Sequence, residues 1–132
     1  MTIGVLEAIQ NLKPNASFGM RGVKPDATVS EQYNAVVWQD ESQTKPTEDE
    51  VTTKVTALNN AEPMRLLRVE RDRLIGQSDW RIVMAKETGT NIPTAWKTYR
   101  QALRDLPASS TPTLDSDDSL DMSSVTWPTP PS

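Results

Sequence analysis

The chain has 132 residues, a net charge of −4, 36% hydrophobic residues, and neither cysteine nor histidine. A chain of this length and polarity is expected to form one small domain plus extras, with a modest core that gains stability from a partner. Disulfides, thiolate nucleophiles and thiolate-bound zinc are excluded, histidine as the commonest general base and metal ligand is missing, and no residue pattern argues for catalysis, a metal, a cofactor or a small-molecule substrate. No apolar run approaches the about 20 residues of a membrane span. The opening MTIGVLEAIQNLK lacks the charged start and apolar centre of a signal peptide, so the expected location is the cytosol.

Charge is unevenly spread. Residues 63–106 carry nine basic and five acidic side chains, a balance of +4, whereas residues 107–132 carry four aspartates and no base. The basic middle reads either as a solvated arginine face or as a surface for an acidic partner. Interleaved carboxylates and the net acidity argue against nucleic acid.

In chain order, Ile3, Val5, Leu6, Ile9 and Leu12 recur at helical spacing, predicting a short helix over 2–12 capped by Thr2 and ended by Pro14-Asn15. Phe18 and Met20 fit one face of a strand. Tyr33–Trp38 reads as a second strand, pairing antiparallel with the first across a long loop, 22–30. Thr47 and Glu50 form a capping box that starts a helix, with Val51, Val55 and Leu58 on its apolar face. Pro63 allows two readings: a kink in one long helix, or a new helix with proline in its first turn. Asn59 and Asn60, weak helix formers, favour a bend or short break there.

The stripe resumes at Met64, Leu67 and Leu74 and is expected to end near Gly76 as a glycine C-cap. Asp79 then reads as a turn cap, Arg81–Met84 as a buried extended segment and 86–91 as a surface loop. A last helix is expected from Pro93, with Trp96, Tyr99, Leu103 and Leu106 on one face, Arg100 and Arg104 beside it, and Pro107 as its stop. The two helices would form an antiparallel hairpin across a loop of some fifteen residues. The aromatic stripe reads first as core and second as a partner surface. Beyond Pro107 the Pro, Ser, Thr and Asp content predicts an unstructured acidic tail. Within it, Trp127-Pro-Thr-Pro-Pro could dock on something, and Asp115, Asp117, Asp118 and Asp121 read as a solvated charge run. The expected class is α+β, mostly helical. Its three parts are a helix and two-stranded module over 1–46, a helical hairpin over 47–107 and an extended tail over 108–132.

Residues 63–107 resemble the C-terminal signature of the phage tail fibre assembly and tail assembly chaperone proteins. The matching residues are Arg65-Leu66-Leu67, Arg71-Asp72-Arg73-Leu74, Ser78-Asp79-Trp80, Trp96 and Tyr99 through Pro107. Trp38-Gln39-Asp40 with Lys45-Pro46-Thr47 and Glu50 is similar to the strand and helix start these proteins often carry, and the WPTPP end is similar to the ends of cyanophage examples. Between Trp80 and Trp96 the chain departs from the family's acidic, proline-containing loop. The resemblance implies a non-enzymatic protein that binds and caps a trimeric tail fibre, at its C-terminal end, to promote folding or trimerisation in the host cytoplasm. Its alternative is a minor structural subunit of the fibre or baseplate, retained in the virion. The partner contacts it implies are Trp80, Trp96, Tyr99, Arg100, Leu103, Arg104 and Trp127, since Trp, Tyr and Arg are the usual interface anchors.

Overall fold

In a computed structural model that describes residues 3–132, the chain divides into two units, Met1–Ala61 and Glu62–Ser132, with the division inside one long helix. The fold is mostly helical α+β, as expected.

The first unit holds α1 (Val5–Leu12), β1 (Phe18–Met20), α2 (Val29–Asn34), β2 (Val36–Trp38) and the start of α3 (Glu48–Thr88). Val5, Ala8 and Ile9 of α1 pack with Val36, Val51 and Val55 into one core, flanked by Phe18, Tyr33, Trp38 and Leu58. Thr2, the expected cap of α1, lies outside the described residues; the Gly4 N–H donates to the Glu7 carboxylate at 3.2 Å. The strands pair antiparallel, Phe18 opposite Trp38 and Met20 opposite Val36, and the Phe18 and Trp38 rings stack at 5.8 Å.

The second strand is shorter than expected. Tyr33 and Asn34 belong to α2, because Thr28 and Glu31 make a capping box of their own: the Thr28 N–H donates to Glu31 at 2.7 Å and the Glu31 N–H to Thr28 Oγ1 at 3.2 Å. The expected box at α3 is present, with the Thr47 N–H donating to Glu50 at 2.8 Å.

No break occurs at Asn59-Asn60: α3 is one helix with Pro63 inside it. Asn59 has a use that outweighs its poor propensity. Its amide donates to the carbonyls of Ile3 (3.0 Å) and Val55 (3.0 Å) and accepts from the Ile3 N–H (3.2 Å), tying the N-terminal segment to the helix.

In the second unit α3 continues past Gly76 to Thr88, so Asp79 and Arg81–Met84 are helical, contrary to the sequence reading. The glycine stop is thirteen residues later. Gly89 takes φ +67°, and the N–H groups of Gly89 and Thr90 donate back to Lys86 (3.4 Å) and Ala85 (2.9 Å), a Schellman motif. The connection to α4 (Thr94–Ser109) is therefore residues 89–93, far shorter than expected.

The helices run antiparallel, with Arg81 against Trp96, Arg100 against Ile75 and Ser78, and Leu106 near Leu67. Pro107 lies inside α4 and not after it. The Ser110 hydroxyl donates to the Leu106 carbonyl at 2.6 Å in that last turn.

The tail is ordered in part. Leu114 and Leu120 form an isolated bridge, residues 122–124 a 3₁₀ turn, and Val125 packs with Leu67 and Leu106 while Leu120 and Trp127 flank them. A few apolar side chains find a ready seam, and Asp115 and Asp121 each turn the residues that follow by accepting N–H groups two to four residues on. No described helix is long and apolar enough to cross a membrane.

Candidate partner-binding cleft

Continuation of α3 past Gly76 places Trp80 and Arg81 on a rigid helix rather than a loop. The apolar spacing that carries the helix onward is in the sequence: Leu67, Leu74, Ser78, Ile82 and Ala85 fall on one face. Ser78 and Ala85 are buried there, being small enough to face α4.

Arg100 fastens the pair. One of its terminal nitrogens donates to the Ser78 hydroxyl (2.6 Å), the Asp79 carboxylate (2.8 Å) and the Ile75 carbonyl (3.0 Å). Arg73 similarly holds Glu70, donating from Nε at 2.9 Å. Hydrogen bonding from Arg73 keeps the Glu70 carboxyl below its usual pKa, and Arg65 does the same for the nearly buried Glu62.

Above these pairs the rings gather. The Arg81 guanidinium lies 4.5 Å from the Trp80 ring centroid and 4.0 Å from that of Trp96, and Trp96 meets Tyr99 edge to face at 5.7 Å. The tail closes the side, with Trp127 donating its indole N–H to the Met122 carbonyl at 3.1 Å. Together Leu74, Trp80, Arg81, Trp96, Tyr99, Trp127, Pro128 and Pro130 line most of a cleft of about 480 Å³. Trp80 is 54% exposed, an unusual cost for the largest apolar side chain unless something covers it.

Of the residues singled out from the sequence, the fold brings Trp80, Trp96, Tyr99 and Trp127 into this cleft. Leu103 is wholly buried and faces the core. Arg100 is committed to the internal network. Arg104 is exposed elsewhere, donating to Gln101 at 2.8 Å. Arg81 was missed by sequence reasoning, which had placed it in an extended segment; the helical spacing of Leu74, Ser78, Ile82 and Ala85 across Gly76 was the signal that could have found it.

A helical pair here keeps two indoles and a guanidinium at its surface, the residue types that are enriched at protein interfaces. The model of the family described as phage tail assembly chaperone protein matches residues 64–132, and the chain belongs to that family. The match takes in nearly all of the second unit, including the cleft and the tail that walls it. Its role lies in phage tail assembly, which points to interaction with tail proteins and to a non-catalytic part. No curated protein and no solved structure matches the chain.

Proposed function

We propose that this protein binds and caps a tail fibre polypeptide, at its C-terminal end, and so promotes its folding or trimerisation. The observation that carries this reading is the half-exposed Trp80 beside Arg81 and Trp96 in an open cleft. Fibre subunits expose strand edges and apolar surface before they trimerise, and such surface aggregates unless covered. Indole rings held on rigid helices cover it at little entropic cost, and Trp80, Arg81, Trp96 and Trp127 are the contacts in this reading.

Co-expression tests it. The fibre is expected to accumulate as soluble trimer with this protein and as aggregate without it, and Trp80→Ala is expected to remove most of the gain. An equal yield of soluble trimer without the protein overturns the reading. A chaperone that leaves after assembly is absent from purified particles by mass spectrometry, whereas a fixed stoichiometry there makes it a structural subunit.

A further inference from the structure

Resting on the fibre-binding reading, we infer that the cleft takes an extended acidic segment of its partner, one that interleaves carboxylates with proline or aliphatic residues, and that Arg81 is the group that receives the carboxylate. Arg65, Arg71, Arg73 and Arg100 each have a carboxylate within the chain. Arg81, among the described residues, has only ring faces, and none of its N–H donors finds an acceptor. A guanidinium stacked between rings keeps its charge and its planar fork, the geometry that takes a carboxylate bidentately. The charged side chains lining the cleft are Glu70, Arg73 and Arg81; Glu70 and Arg73 neutralise each other, which leaves the Arg81 charge to favour an acidic chain here. The protein also shows what backbone the surface accepts: its own acidic, proline-containing tail already forms one wall through Trp127, Pro128 and Pro130. Among the described residues the tail brings no carboxylate to Arg81, and in this reading the partner supplies it.

Two fluorescein-labelled twelve-residue peptides test this on the full chain by anisotropy. One is composed of Leu, Pro and Asp; the other has Lys in place of Asp. The acidic peptide is expected to bind, to weaken with salt, and to bind about tenfold more weakly to Arg81→Gln, the loss of one charge-assisted pair. Arg81→Lys, which keeps charge without the fork, falls between, and Arg104→Gln binds as the parent does. Equal binding of both peptides, acidic binding unchanged in Arg81→Gln, or equally strong competition by a twelve-nucleotide oligothymidine overturns the inference. Fibre co-expression separates the two proposals. If Trp80→Ala abolishes the gain in soluble fibre and Arg81→Gln leaves it whole, the fibre reading stands and the acidic segment falls.

Discussion

Arg100 of α4 donates to the hydroxyl of Ser78 on α3 at 2.6 Å, and that serine is only 3% exposed. The serine in turn donates to the Ile75 carbonyl at 2.8 Å. Arginine therefore ties the crossing of two helices, and its removal strands a polar group in a nearly dry contact. Arg100→Ala is expected to lower stability by about 1–3 kcal/mol, and Ser78→Ala by about 1 kcal/mol. Because the two share one interaction, the double variant should lose less than the two single losses added together. Urea unfolding of the four proteins measures this; strict additivity would show that the pair is not coupled.

Two glycines should respond in opposite directions. Gly89 ends α3 at φ +67°, where a Cβ is strained, so Gly89→Ala should destabilise by about 1 kcal/mol. Gly76 is exposed inside the same helix, and a Cβ there would meet nothing within 4 Å. Gly76→Ala should stabilise by about 1 kcal/mol through helix propensity. Thermal melts of both variants check the assignment, and the reversed order would mean that the helix does end at Gly76.

That pair also shows what the sequence withheld. Both glycines follow a periodic apolar stretch, and a capping glycine reads the same at either. The choice was settled by Ser78, Ile82 and Ala85, whose face continues the helix, although serine does not register as apolar. Pro63 and Asn59 bear on the same point. Local propensity counts against a helix at both, yet Asn59 gains three hydrogen bonds that only the assembled unit supplies. The Thr28–Glu31 box was legible by the same rule that found Thr47–Glu50, but residues 22–30 were read as a loop and 33–38 as a strand from its β-branched and aromatic run. The aromatic stripe of α4 was read correctly because its period of 3.6 holds without exception from Trp96 to Leu106.

The Asn59 clamp gives a prediction of its own. Asn59→Ala leaves the Ile3 N–H and carbonyl without their partner and should cost about 1–3 kcal/mol. Asn59→Asp keeps an acceptor for the Ile3 N–H but sets a negative charge against the carbonyls of Ile3 and Val55, so it should be at least as damaging. Amide hydrogen exchange at Ile3 reads the clamp directly. Protection unchanged in Asn59→Ala would show that the segment is held by other means.

Acid should loosen the first unit through Asp40. Its carboxylate accepts from the Ser42 hydroxyl (2.6 Å), the Ser17 N–H (3.0 Å), the Ser42 N–H (2.8 Å) and the Gln43 N–H (3.0 Å). The Ser42 hydroxyl bond is the largest influence lowering its pKa from 3.8 to about 2. A carboxyl that is more acidic in the folded state stabilises that state fully above pH ~4 and ceases to do so as pH falls toward 2. In the second unit, Glu62 and Glu70 are also held below their usual value, by Arg65 and Arg73, so acid weakens that unit in the same direction. Asp40→Asn should therefore be less stable than the parent at pH 7 and show a shallower fall between pH 4 and 2. The emission of Trp38, whose indole donates to the Asp40 and Gln43 carbonyls, is a local probe. An identical acid profile in the variant would remove Asp40 from the account.

Leu103 and Trp80 were grouped together by the sequence and are separated by the fold. Leu103 has no exposed surface, and truncating it to alanine should cost about 2–5 kcal/mol from lost burial and the cavity left behind. Trp80, 54% exposed, contributes to folding chiefly through its contact with Arg81, worth about 0.5–1 kcal/mol. Trp80→Ala should therefore unfold near the parent's urea midpoint while losing most of its ability to keep fibre soluble. Leu103→Ala should lose both together, and lowering the temperature of co-expression should restore its fibre rescue but not that of Trp80→Ala. If Trp80→Ala instead unfolds as readily as Leu103→Ala, the ring is a structural element of the hairpin, and the cleft loses its claim to a partner.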